Sequence, residues 1–126
     1  MLVRDLMAER RFQVVHKDTV ISEVAGIFEA EKISGAPLVD DTGEVVGMIT
    51  KSDIVHFEFV GGDPFVGRAW EIARRRIKTI REDASIKEAA QAMLEDHIHR
   101  LMVVDDEDEP IGMLTSFDYV RHIAES

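Results

Sequence analysis

Two stretches of this sequence, 65 residues apart, carry the same chemistry. Gly47-Met48-Ile49-Thr50-Lys51-Ser52-Asp53 and Gly112-Met113-Leu114-Thr115-Ser116-Phe117-Asp118 each run an apolar strand into Thr, then turn into a helix with Asp in its first turn. Free N–H groups and the helix dipole at such a corner suit an anion, and Thr or Ser adds a hydroxyl donor. The Asp can accept hydrogen bonds from a vicinal diol. Plain helix capping uses the same residues, with Thr as the cap and Asp against the dipole. For a single corner capping is the simpler account. Thr and Asp kept in both copies add weight to a ligand.

Other chemistry-bearing residues point less clearly. In His97-Ile98-His99-Arg100-Leu101-Met102 the two histidines alternate along a strand and could face one side, as metal ligands do. No Cys occurs and the nearest acids lie in a turn, so the expectation is solvated histidines and no metal. His16, His56 and His122 are isolated. Arg100 could hold a phosphate bidentately or make a surface salt bridge. Trp70 reads as a helix residue anchored on the core, and Phe57, Phe59 and Phe65 as packing or dimer contacts. There is no Gly-rich phosphate loop, nucleophile elbow or His-Glu-x-x-His, so no enzyme is expected.

The elements that position the corners follow from an internal repeat. Sliding the chain by 65 positions sets Ala8-Glu9-Arg10-Arg11-Phe12 on Ala73-Arg74-Arg75-Arg76-Ile77 and Val39-Asp40-Asp41 on Val104-Asp105-Asp106. Each copy reads as strand, helix, strand, strand, helix. The first strands are Val14-Val15 and Thr79-Ile80. Helices follow from about Val20 to Lys32, with Val20, Val24, Ile27 and Phe28 as the apolar stripe, and from Ser85, with Ile86, Ala89, Ala90, Met93 and Leu94. The hairpins are Ala36 to Val39 with Val45 to Ile49, and Leu101 to Val104 with Ile111 to Leu114. Short helices close each copy, from Ser52 and from Ser116. The fold class is α+β, with copies at 1–60 and 68–126 and a Gly- and Pro-bearing linker at 61–67.

Composition bounds the rest. The 126 residues are 45% hydrophobic and carry a formal net charge of −10, which opposes nucleic-acid binding at long range. Without Cys there is no disulfide, thiolate zinc site or iron–sulfur cluster. The basic residues cluster at Arg74-Arg75-Arg76 with Lys78 and Arg81, and at Arg10-Arg11, while Asp105 to Glu109 reads as a solvated turn. No apolar run is long enough to span a bilayer, and the first residues lack a signal peptide's core. The expected location is cytoplasmic.

The repeated unit resembles the CBS domain, and the whole chain resembles a stand-alone tandem pair, or Bateman module. The likeness rests on Val3-Arg4-Asp5-Leu6-Met7, Gly35-Ala36-Pro37-Leu38-Val39-Asp40, His99-Arg100-Leu101-Met102-Val103-Val104-Asp105 and the two corners. It implies two β-α-β-β-α units packed through their sheets about a pseudo-twofold axis, leaving two clefts for AMP, ADP, ATP or S-adenosylmethionine. It also implies control of a partner protein, without catalysis, and a homodimer formed through helices. By the same resemblance Asp53 and Asp118 hold ribose hydroxyls. Thr50, Lys51, Thr115 and Ser116 lie near ribose or phosphate. Adenine lies against backbone and apolar side chains of Val14, Val15, Ser34, Ala36, Thr79, Ile80 and Leu101, and Gly35, Pro37 and Met102 complete the ligand-binding set. His99 and Arg100 reach phosphate, whereas the first copy carries Ser34-Gly35 there, so the clefts are expected to be unequal. The alternative is an interaction module whose clefts bind nothing.

Overall fold

Branched and aliphatic runs make the strands of each half, and the 3.6-residue stripes between them make the helices. The computed structural model describes residues 1–7 and 13–126. Residues 8–12, with the pair Arg10-Arg11 and the match onto 73–77, lie outside the described residues. The first half holds α1 (Val3–Leu6), β1 (Val15–His16), α2 (Ile21–Glu31), β2 (Gly35–Val39), β3 (Val45–Thr50) and α3 (Lys51–Phe59). The second holds α4 (Ala69–Ile72), β4 (Thr79–Arg81), α5 (Ile86–Asp96), β5 (Arg100–Val104), β6 (Pro110–Thr115) and α6 (Ser116–Glu125).

The fold is α+β, with two similar units. In each, the first strand runs parallel to the second, and the second pairs antiparallel with the third. The register shifts at the same place in both hairpins, between Leu38 and Val39 and between Val103 and Val104.

Packing divides the chain differently from the repeat. One compact unit is Gln13–Ile77; the other joins Met1–Phe12 to Lys78–Ser126. The leading segment of each repeat is therefore traded to the other. In the first unit Ala69 sits in a core with Val15, Ile21, Val24, Phe28, Ala36, Leu38 and Ile49. In the second, Val3, Leu6 and Met7 join Ala89, Met93, Leu101, Val103 and Leu114.

Helix termini explain why these segments are held. Val20 gives α2 no side-chain cap, so Ile21 and Ser22 donate their N–H groups to the Gly67 and Pro64 carbonyls at 2.9 and 2.8 Å. The residues read as a linker thus cap α2. A Cβ on Gly67 would come within 2.9 Å of both Ile21 and Phe57 side chains, so any larger residue would make those side chains shift. In the other unit the Met1 carbonyl takes the Ile86 N–H at 3.2 Å, while Ser85 Oγ accepts the Glu88 N–H at 3.1 Å.

Some expected core residues lie outside it. Leu94 is 76% exposed and Trp70 47% exposed, whereas Phe57 packs against the core. No helix among the described residues is long and apolar enough to cross a membrane.

Candidate functional site

The hairpin registers build both corners. Gly35 pairs with Thr50 and Arg100 with Thr115. At the first residue of α3 the Lys51 N–H donates to the Ser34 carbonyl at 2.9 Å, and at the first residue of α6 the Ser116 N–H donates to the His99 carbonyl at 2.8 Å. Ser34-Gly35 and His99-Arg100 are thereby tied to their own corners.

In the first unit the Asp53 carboxylate reaches back over Thr50. Its Oδ2 accepts the Thr50 N–H at 2.9 Å and the Thr50 hydroxyl at 3.0 Å, and Thr50 Oγ1 accepts the Asp53 N–H at 3.3 Å. Arg74 stands off the other oxygen, its Nε 3.8 Å from Oδ1. Arg74 comes from the segment after α4, whose backbone exchanges 2.8 Å hydrogen bonds with Met48. A Cβ on Gly47 would lie 3.0 Å from the Arg74 carbonyl oxygen, so glycine lets the two backbones sit this close without a shift.

In the second unit Asp118 Oδ2 accepts the Thr115 N–H at 2.9 Å and the Thr115 hydroxyl at 3.4 Å. Its Oδ1 takes a 2.8 Å charge-assisted hydrogen bond from Arg121 Nη2, one turn along α6. Asp118 is the one buried charged side chain among the described residues, at 6% exposure. The capping account weighed from sequence is thus complete at the first corner and partial at the second, where Asp118 takes the Thr115 N–H but Thr115 Oγ1 makes no cap bond to the helix. It uses only Oδ2 in each.

The remaining expected residues divide by exposure. Lys51, Ser116, Ser34 and His99 are exposed, and Gly35 and Arg100 are half-buried. Val15, Ala36 and Leu101 place their side chains in the cores, and Pro37 and Met102 are buried. Val14 and Thr79 are exposed, and Ile80 packs against the second core. Sequence reasoning missed Arg74 and Arg121. Arg121 had a signal, an Asp–Arg spacing of three on one helix face. Arg74 had none, since it reaches Asp53 only through tertiary pairing.

The basic cluster is dispersed. Lys78 pairs with Asp96 at 3.0 Å, and this contact raises the Lys78 pKa above its ordinary value. Arg81 pairs with Asp83 at 3.4 Å. Arg75 instead lines a concavity of about 310 Å³ with Lys17, Leu38, Val46, Trp70 and Ala73. None of the expected binding residues lines it.

His16, which reads as isolated in the sequence, meets Asp18 and Asp41. Nδ1 accepts the Asp18 N–H at 3.1 Å, which leaves Nε2 as the protonated nitrogen facing Asp41 Oδ1 at 2.6 Å. Both ring nitrogens are engaged, so ligating an ion would break one of these bonds. His97 adopts a left-handed backbone as the C-cap of α5, with φ at 52°.

The model of one family, the CBS domain, matches this chain twice, over residues 3–59 and 69–125. The chain belongs to the CBS-domain family. It is 28% identical to the Methanocaldococcus jannaschii protein MJ1426, over 96% of this chain and 90% of that one. It spans only 28% of MJ1404 from the same organism, at 33% identity and 96% coverage of this chain. Among solved structures, the CBS domain pair of protein MJ0100 in complex with 5′-methylthioadenosine and S-adenosyl-L-methionine is 30% identical, with a TM-score of 0.87 over 99% of this chain and 97% of that one. CBSX2 in complex with AMP is 25% identical, with a TM-score of 0.82 over 98% of this chain and 96% of that one. CBSX2 of Arabidopsis thaliana is a chloroplastic CBS domain-containing protein.

Proposed function

We propose that this CBS pair is a ligand-sensing regulatory module, not an enzyme, which binds an adenosine-containing molecule at its strand-to-helix corners and passes occupancy to a partner protein. The observation that carries the reading is the duplicated carboxylate. Asp53 and Asp118 each spend one oxygen on the local cap and turn the other away from it. Related CBS pairs in complex with 5′-methylthioadenosine, S-adenosylmethionine and AMP support the ligand class. In this reading Asp53 and Asp118 accept ribose hydroxyls, Thr50, Lys51, Thr115 and Ser116 flank ribose or phosphate, and His99 with Arg100 reads phosphate. Adenine lies against Val14, Ser34 and Thr79 and against the backbone of Val15, Ala36, Ile80 and Leu101, whose side chains pack into the cores, with Gly35, Pro37 and Met102 also in the binding set.

A thermal-shift panel of AMP, ADP, ATP, S-adenosylmethionine and NAD tests the reading. A ligand at one hundred times its Kd stabilises the fold by about 2.7 kcal/mol. No shift with any of them at millimolar concentration leaves the interaction module with non-binding clefts.

The same reading includes a homodimer. Phe57, read from sequence as a packing or dimer contact, packs against the core, as Ala89 and Met93 of the α5 stripe do, but Phe59 is 87% exposed. Val55 on α3, and Phe117, Val120 and Ile123 on α6, are also exposed and offer apolar area in their place. Light scattering at micromolar concentration should give twice the chain mass; a one-chain mass sinks the dimer.

A further inference from the structure

The two corners have the same sequence pattern but not the same capacity to accept hydrogen bonds. An ionised carboxylate offers about four lone-pair directions, two on each oxygen. Asp53 Oδ2 uses both of its own on the N–H and hydroxyl of Thr50. Its Oδ1 has Arg74 Nε at 3.8 Å, beyond hydrogen-bond distance, so both directions there are open. Asp118 Oδ2 accepts the Thr115 N–H at 2.9 Å and, less closely than at the first corner, the Thr115 hydroxyl at 3.4 Å. Its Oδ1, however, already accepts from Arg121 at 2.8 Å, and one direction remains.

We infer that the Asp53 corner takes both hydroxyls of a vicinal diol while the Asp118 corner takes one, and that Arg121 is the residue that sets this difference. The inference rests on the adenosine reading above and adds which corner tells ribose from 2′-deoxyribose. A diol on Asp53 loses a charge-assisted bond when one hydroxyl is removed. On Asp118 either hydroxyl fills the single open direction, so losing one costs little. Arg121 is partly exposed, at 30% of its side chain, and its guanidinium is held by Asp118 Oδ1 alone among the described residues. It can be replaced without emptying the core.

Neutral nucleosides isolate this effect, because they carry no phosphate for Arg121 to attract. The experiment is calorimetric titration of the full chain with adenosine and with 2′-deoxyadenosine, in variants that leave one corner intact. Asn at either Asp position keeps a carbonyl oxygen for the Thr N–H and removes the second acceptor. Asp118→Asn, with only the Asp53 corner intact, should bind adenosine about tenfold or more tighter than 2′-deoxyadenosine, as expected for one hydrogen bond to a charged group. Asp53→Asn should discriminate less than about threefold. Adding Arg121→Met to Asp53→Asn should raise the preference to about tenfold, and Arg121→Gln, too short to hold Oδ1, should do the same if the Met variant melts without cooperativity. Equal discrimination at the two corners, or no gain on replacing Arg121, overturns the inference and leaves adenosine binding standing. No heat from either nucleoside with any chain, wild type included, overturns the inference, and the adenosine reading falls with it only if the thermal-shift panel is also flat.

Discussion

Asp53 and Asp118 occupy equivalent places in two copies of one unit, yet different parts of the chain hold them. Asp118 is served within a single helix, by Thr115 before it and Arg121 after it. Asp53 has the same Thr, but its cation, Arg74, arrives from the segment that packs against β3 and stays 3.8 Å away. A duplicated sequence therefore yields one carboxylate in a tight local ion pair and one with an oxygen left open. The two copies share Thr and Asp but not the cation: His56 stands where the second copy has Arg121, and Arg74 reaches Asp53 from another segment.

The largest consequence is for stability. Asp118→Ala removes a cap and a buried charge-assisted bond together, so it should cost about 2–3 kcal/mol. Asp53→Ala loses the cap but no short ion pair, and should cost about 1 kcal/mol. Urea denaturation without ligand measures both, and equal costs would erase the difference between the corners.

Binding should separate the corners next. His99-Arg100 stands in the second copy where the first has Ser34-Gly35. Arg100→Ala should weaken AMP about ten- to hundredfold, the worth of a hydrogen bond between charged groups, and change adenosine much less. Calorimetry with both ligands decides it: equal loss for the two, or none, removes the phosphate role.

Much of this was legible in the sequence because the signals are local. The stripe of α2, the hairpin strands and both Thr–Asp corners follow from periodicity and capping chemistry, and each lies within a residue or two of its expected place. The exchange of leading segments was not legible. Periodicity says that Leu6 or Ala69 has a partner, but not in which repeat that partner lies. Trp70 was misjudged for a related reason. Ala69 takes the core position beside it, and the four-residue α4 has one inward face.

A smaller test compares the hairpin turns. Gly43 has φ at +83°, and Asp108, its equivalent 65 residues on, has φ at +62°. A side chain in the left-handed region costs energy that glycine avoids, although Asp tolerates it better than most. Asp108→Gly should stabilise the chain by about 0.5 kcal/mol once glycine's own entropic cost is deducted, and it also thins the acidic run. Gly43→Asp should destabilise by a similar amount. Thermal melts of both variants check the sign, and opposite signs to these would mean that the turns are not equivalent.

The smallest expected effect is a pH dependence that belongs to the first turn. Asp40 Oδ1 accepts the Thr42 hydroxyl at 2.6 Å and the N–H groups of Thr42 and Glu44 at 2.9 and 3.1 Å. The Thr42 hydroxyl leads in holding the Asp40 carboxyl below its ordinary pKa. Asp105 accepts the corresponding N–H groups of Glu107 and Glu109, both at 2.9 Å, but Glu107 stands where Thr42 would supply a hydroxyl. A carboxyl whose folded pKa is depressed stabilises the fold above its unfolded pKa, about 3.9, and that contribution is lost as pH falls through the folded value. Thr42→Val should therefore flatten the acid side of the stability curve only below about pH 4. Asp40 is partly exposed to water in the turn, so solvent screening keeps the effect small. Urea midpoints of wild type and Thr42→Val from pH 5 down to about pH 2.5 measure it. A difference that is constant across that range would assign the Thr42 hydroxyl to turn geometry and not to the charge on Asp40.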